Sequence, residues 1–271
     1  MADTGLTLAD WRAGAPRLAD EVAEDWGLRL GDPYVPGVCG HVVRAELPDG
    51  TPAVLKVYWP DRESRQEADA LERWDGQGAV RLLARDDVRS ALLLERCEPG
   101  TFLSAAGTEA ALDVLVGLLP RLWTSADGFA TIEDEVLCLL EDIEQARDPR
   151  LRDAAVAYLR DLVPTQGERV LVHQDLHGEN VLAAQRELWL AIDPKPLAAE
   201  RELSAASIVR SNELGHSRRA VFYRLDRICG DLGLDRERAV GWTVAHTVAW
   251  SGGHDYVDPH IEAVRWLLGA E

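Results

Sequence analysis

The chain reads as an α+β protein of two lobes, an antiparallel-sheet N-terminal lobe over residues 1–97 and a mainly helical lobe over 98–271. Three observations predict it. Strand patterns with one charged helix among them fill residues 38–96. A Pro-Gly break follows at Pro99-Gly100. From Thr101 onward the apolar spacing turns helical. With 271 residues the chain can bury a sizeable core.

In order, residues 4–30 are predicted helical, because Leu8, Trp11, Leu18, Val22, Trp26 and Leu30 recur near helical spacing. Asp32-Pro33 and Pro36-Gly37 break the chain. A strand over 38–47 and its return over 52–58 flank Asp49-Gly50, a hairpin turn signal. Gly37 and Gly40 stand at the head of this hairpin and Lys56 on its second strand. Glycines let a backbone approach phosphates closely, and a strand lysine can reach their oxygens; a glycine-marked turn and an edge or snorkelling lysine are the plainer readings. Residues 61–75 form a charged helix in which Glu63 and Glu67 lie on one side, Glu67 at the rim of the apolar face and therefore the better partner for Lys56. Strands over 80–84 and 90–96 lead into an extended linker at Cys97-Glu98-Pro99-Gly100, whose backbone groups can pair with an adenine edge. Helices are expected over 109–122, 132–146, 149–162, 203–214, 218–230, 236–250 and 259–268, with a break at Gly252-Gly253-His254-Asp255.

The richest stretch runs from Val170 to Lys195. An apolar run delivers His173-Gln174-Asp175, Gly178 pivots a polar loop, Asn180 closes it, and a second apolar run delivers Asp193. The pattern is H-x-D-x-x-x-x-N, a hairpin, then an apolar-D. Phosphoryl transfer from ATP calls for this set: one carboxylate to orient and deprotonate a hydroxyl, and an amide oxygen with a second carboxylate to hold Mg²⁺ on the phosphates. The site is expected where the two lobes meet.

Composition narrows the partners. The net charge of -18 and pI near 4.8 argue against nucleic acid, whose phosphates need clustered Lys and Arg, and suit a cationic small molecule. Cys39, Cys97, Cys138 and Cys229 are scattered without a C-x-x-C pair, as in a reducing cytoplasm. The N-terminus lacks signal-peptide character, and no run approaches the ~18 apolar residues of a membrane span.

The segments PAVLKV, GAVRLL, ALLLER, HQDLHGENVL and IDPK, in that order, resemble the aminoglycoside phosphotransferases, small-molecule kinases of the protein-kinase-like fold, and most of all their streptomycin 6-kinase and hydroxyurea phosphotransferase group. The likeness covers residues from about 30 to 250. It implies Asp175 as catalytic base, Asn180 and Asp193 as magnesium ligands, Lys56 on the nucleotide phosphates paired with Glu67, and the backbone of Glu95 and Cys97 on adenine. His173 would brace the loop. Asp193 is followed by Pro-Lys rather than Phe-Gly and no A-P-E signature follows, so a protein substrate is not expected. Where antibiotic kinases carry an aspartate that ties down the catalytic loop, this chain has Ser204, and the turn around Gly37 and Gly40 lacks the serines of many relatives. The acceptor is expected against the helical lobe, with Glu200, Glu213, Asp255 and Asp258 as candidate carboxylates for an ammonium or guanidinium group. Two rival readings are a kinase for another small hydroxyl compound, hydroxyurea-like or a metabolite, and a nucleotide-binding pseudokinase.

Overall fold

A computed structural model describes residues 7–34, 39–253 and 258–269. Helix α1 (Leu8–Trp26) starts at a capping box between Thr7 and Asp10 and stops at Gly27, whose φ of 66° suits a residue without Cβ. The helix is therefore shorter than its apolar spacing predicts, and the chain turns at once into strand β1 (Arg29–Pro33). Strands β2 (Gly40–Glu46), β3 (Pro52–Tyr58), β4 (Leu82–Asp86) and β5 (Ala91–Glu95) complete a five-stranded antiparallel sheet in the order β1-β2-β3-β5-β4.

Strand alternation decides what β3 presents to each side. Ala53, Leu55 and Val57 pack with Trp11, Ala15, Ala19 and Val22 of α1. Val54 and Tyr58 face the other way, towards Ala68, Leu71 and Trp74 of helix α2 (Glu67–Trp74). Lys56 shares that second face. It lies opposite Val42 on one neighbouring strand and Leu92 on the other, so it is a central-strand residue and not an edge lysine. Helix α2 begins later than the charge pattern suggests, because Asp61 accepts the N–H groups of Glu63 and Ser64 and holds that segment in turns.

The helical lobe contains α3 (Thr108–Leu122), α4 (Ile132–Glu144) and α5 (Pro149–Leu162). Two short antiparallel pairs follow: β6 (Arg169–Val172) with β9 (Leu197–Glu200), and between them β7 (Val181–Ala183) with β8 (Trp189–Ala191). Helices α6 (Ala205–Arg210), α7 (Arg218–Leu232), α8 (Arg236–Gly253) and α9 (Asp258–Leu267) close the lobe. Buried Trp242, Val244, Ala245, Val248 and Ala249 of α8 make its core with α4 and α5. A Cβ at Gly252 would stand 1.9 Å from Asp142 O, so glycine lets α8 lie against α4 there. A second core runs from Leu71, Trp74 and Leu92 into Leu112, Leu115 and Val181, joining the lobes through apolar packing. Among the described residues no helix is long and apolar enough to cross a membrane.

Candidate active site

The cleft is set by two rigid deliveries. Buried Val170, Leu171 and Val172 of β6 bring in His173, and the β7–β8 hairpin brings Asp193 back beside it. Main-chain bonds lock the two arms: Lys195 N–H to His173 O at 3.0 Å, and Ile192 N–H to Asn180 O at 2.9 Å. Gln174 and Asp193 hold φ near 60° and 57°, a conformation that costs a non-glycine residue energy and persists because these bonds enforce it. His173 is buried and neutral. Burial pulls its pKa to about 4, its Nε2–H donates to Ile192 O at 3.0 Å, and Nδ1 accepts the Asp175 N–H. Trp74 stacks on its ring, which ties α2 to the loop.

On the sheet side, Lys56 Nζ donates to both Glu67 oxygens at 2.7 Å and to Asp193 Oδ1. Burial lowers the lysine pKa, but Asp193 and Glu67 outweigh it and keep the ammonium charged. Burial pushes Glu67 up to about 7 against the pull of Lys56, and Lys56 draws Asp193 down to about 2. A Cβ on Gly40 would be 3.7 Å from Lys56 Cε, so glycine keeps the roof over the lysine thin. Gly37 lies outside the described residues.

On the loop side, Asn180 Nδ2 donates to Asp175 O at 2.8 Å and to its Oδ2 at 3.1 Å. Lys195 Nζ reaches the same Oδ2 at 3.1 Å, and Arg210 reaches Oδ1 at 3.4 Å. Burial raises the Asp175 pKa, yet Lys195, His177 and Arg210 prevail and hold it below the usual carboxylate value. Arg210 is 2% exposed. It donates to His246 Nδ1 at 2.8 Å, and His246, kept neutral near 3 by burial and by Arg210, passes its Nε2–H to Gln174 at 3.3 Å. Trp250 stands beside this group with Lys195 and Arg210 each 4.2 Å from its ring centre, and its indole N–H donates to Glu63 at 2.9 Å.

The carboxylates expected to face an acceptor are placed otherwise. Glu200 is 2% exposed; it accepts from Arg238 at 2.9 Å, from Trp242 and from Gly167 N–H, so it is a strut between β9 and α8. Glu213 accepts from Gly178 N–H and His177 at 3.1 Å and from Ser211, which makes it a brace of the catalytic loop. Asp258 is exposed at the first turn of α9, and Asp255 lies outside the described residues. Glu95 spends its N–H on Arg81 O and its carboxylate on Arg186 and Arg81, while buried Cys97 opens the irregular linker. Ser204 accepts from Trp123 and does not touch the loop; Ser207, one helical turn further on, donates to Leu176 O at 2.8 Å. With Glu213 it supplies the bracing that Ser204 lacks. Lys195 belongs to the IDPK segment and Glu63 lies on one side with Glu67, but nothing in the sequence placed them, Arg210 or Trp250 around Asp175.

Residues 33–254 match the family model described as aminoglycoside/hydroxyurea antibiotic resistance kinase. The chain is 40% identical to a hydroxyurea phosphotransferase of Kitasatospora aureofaciens, over 87% of this chain and 72% of that one. It is 38% identical to a streptomycin 6-kinase of Streptomyces glaucescens, over 86% and 80% respectively. Among solved structures, the choline kinase LicA of Streptococcus pneumoniae superposes with a TM-score of 0.66 at 15% identity, covering 94% of this chain and 97% of that one. LicA has also been solved with AMP.

Proposed function

The chain belongs to the aminoglycoside/hydroxyurea antibiotic resistance kinases and is a small-molecule O-phosphotransferase, and we propose that it moves the γ-phosphoryl group of ATP to a hydroxyl of a cationic acceptor, an aminoglycoside such as streptomycin. The observation that carries this is the meeting of Lys56, Glu67 and Asp193 from one side with Asp175 and Asn180 from the other. The reading divides the chain into a nucleotide-binding lobe, 1–97, and a helical lobe, 98–271, that offers the base and the acceptor wall. Cys97 and the linker after it would face adenine.

Asn180 and Asp193 fit Mg²⁺. They offer an amide oxygen and a carboxylate ionised far below neutral pH, the hard oxygen donors this ion prefers, with waters and phosphates to complete its shell. Bound there, the ion would neutralise phosphate charge. The protein's own groups do the rest. Lys56 stays charged to bind phosphate, Glu67 aims it, and Asp175 orients the acceptor hydroxyl and takes its proton. Glu63 and Trp250, bonded to each other and both against Lys195, which rests on Asp175, form the wall against which a guanidinium or ammonium group would rest.

A second reading has one specific observation behind it. Asp175 lies between two cations, Lys195 and Arg210, and of the acidic residues expected for a cationic acceptor Glu200 and Glu213 are spent as struts. That arrangement favours a small neutral acceptor of the hydroxyurea kind. Release of ADP with Mg²⁺-ATP and a panel of streptomycin, other aminoglycosides, hydroxyurea and simple alcohols separates the two. Turnover with streptomycin is expected; turnover with hydroxyurea alone overturns the cationic acceptor. All four cysteines are free thiols, which agrees with a cytoplasmic site of action.

A further inference from the structure

We propose that Lys195 is a catalytic residue: its ammonium group, which rests on Asp175, moves onto the phosphoryl group as that group passes to the acceptor, and so frees the carboxylate to take the acceptor's proton. The inference rests on the phosphotransferase reading and adds to it a residue that the phosphate and metal machinery leaves unused.

The position comes first. Lys195 follows the metal carboxylate by two residues and points back into the cleft. Its Nζ is 3.1 Å from Asp175 Oδ2 and 3.7 Å from Glu63, with the Trp250 ring against it. Its charge also bears on Asp193, on Glu67 and on the Cys39 thiol beside Gly40. Lys195 thus rests on the base, two residues along the chain from the carboxylate proposed to hold the metal, where phosphate oxygens and acceptor would meet.

Mobility comes second. Two cations touch Asp175, and they are held differently. The Arg210 side chain is 3% exposed and anchored to His246. The Lys195 side chain is 26% exposed, on a flexible unbranched stem, and its ammonium meets the carboxylates of Asp175 and Glu63 and the face of Trp250. Lys195 can follow a phosphate; Arg210 stays and keeps Asp175 aimed.

Chemistry comes third. In the resting cleft Asp175 Oδ2 accepts from both Asn180 and Lys195, and each such bond favours the ionised form and weakens the base. When Lys195 transfers to the phosphoryl oxygens, that restraint is lifted as charge is neutralised on the group in flight. The acceptor oxygen bonds to the γ-phosphorus. The bond from phosphorus to the bridging oxygen breaks, with its electron pair leaving on ADP. The hydroxyl proton goes to Asp175, and Lys195 keeps its own proton throughout.

The test compares the full chain with Lys195→Ala and Lys195→Arg by calorimetry, using magnesium with ADP alone and with ADP plus fluoroaluminate, a planar mimic of the phosphoryl group in transit. Lys195→Ala is expected to bind ADP within about threefold of the wild type, to lose tenfold or more in affinity for ADP with fluoroaluminate, and to lose about 100-fold in kcat with little change in the KM for ATP, the range for removing one donor to transition-state charge. Lys195→Arg should recover most of the fluoroaluminate affinity. Unchanged fluoroaluminate binding by Lys195→Ala overturns the proposal, as does an equal loss for ADP and for the mimic. Lys195→Gln keeps the stem and a donor to Asp175 but no charge; it carries the same expectation, so a folding defect in the alanine variant does not decide the matter. A wild type that binds neither ligand overturns the phosphotransferase reading itself, a result distinct from a variant that behaves like a competent wild type.

Discussion

The two walls of the cleft invert each other's charge. On the sheet side one cation, Lys56, is shared by two carboxylates, Glu67 and Asp193. On the loop side one carboxylate, Asp175, is shared by two cations, Lys195 and Arg210. The first arrangement carries surplus negative charge, which on the proposed reading a metal cation would offset as a triphosphate settles. In the second, Lys195 also lies 3.7 Å from Glu63 and Arg210 is anchored to His246, so the two cations on Asp175 are held by different partners. The difference teaches that the two walls are separate ion clusters, and on the proposed reading phosphate holding and phosphoryl transfer should therefore fail separately.

The largest effect should come from Asp175→Asn. The variant keeps the shape and several hydrogen bonds of the side chain but cannot accept a proton. A kcat lower by about 10³-fold is expected, within the usual range for a general base, with Mg²⁺-ATP affinity within about threefold of wild type. Steady-state kinetics and nucleotide titration check both halves, and a matching loss of nucleotide affinity would show that the two clusters act as one. Asp193→Ala is the converse. It should remove most of the magnesium dependence of nucleotide binding, a change of about 10- to 100-fold, comparable with losing a partner at other metal sites. Identical magnesium titrations for variant and wild type would refute the assignment.

The same contrast explains what the sequence could tell. The sheet side was legible because each member sits in an element with its own pattern: Lys56 inside an apolar strand, Glu67 at the rim of a helix face, Asp193 after an apolar run. The catalytic loop was legible because all its members lie within a few residues. Arg210 reaches Asp175, and Glu63 and Trp250 reach Lys195, only through tertiary packing of α6, the segment before α2, and the end of α8. Charge alone misled at Glu200. An acidic residue in an acidic chain looks available for a cation, yet the strand pairing of Arg169 with Glu200 and the packing of α8 bury it against Arg238. Strand β1 was hidden for a different reason: its apolar residues continue the helical period of α1, and only Gly27 marks the stop.

Glu200→Ala should therefore act on the fold and not on the acceptor. Removing it takes the acceptor from the buried Trp242 N–H and one partner from Arg238, which keeps Thr165 and Leu162 O, and losing a bond to a charged group of this kind costs about 2 kcal/mol. Thermal unfolding should show a fall of several degrees, with the acceptor KM within about twofold. A KM that rises tenfold in a protein of unchanged melting temperature would return Glu200 to the acceptor site.

The loop brace has a pH signature. Burial lowers the His177 pKa, but its bond to Glu213 and the Asp175 charge raise it above 6.5, while His177 and Ser211 overcome burial and take Glu213 down to about 2. A raised histidine contributes stability fully below about 6.5 and loses it as pH climbs through the folded value; a depressed glutamate contributes above 4.5 and loses it as pH falls towards 2. The wild type should thus lose stability between pH 6 and 8 by an amount on the order of 1 kcal/mol, and Glu213→Gln should flatten that slope. Parallel denaturant midpoints for the two proteins across that range would show that the pair does not titrate as described.

The smallest effect distinguishes two serines three residues apart. At Ser204 the resemblance to antibiotic kinases leads one to expect a loop-bracing aspartate, yet among the described residues its hydroxyl accepts from Trp123, at 3.0 Å. Ser207 donates to Leu176 O, the carbonyl next to the catalytic aspartate. Ser204→Ala should cost about 1 kcal/mol of stability, the ordinary worth of one hydrogen bond, and leave kcat within about twofold. Ser207→Ala, with a similar cost in stability, should lower kcat several-fold, because the Leu176 carbonyl loses the bond that fixes the turn and Asp175 with it. If kcat falls in the Ser204 variant and holds in the Ser207 variant, the loop that carries Asp175 is tied down through Trp123 after all.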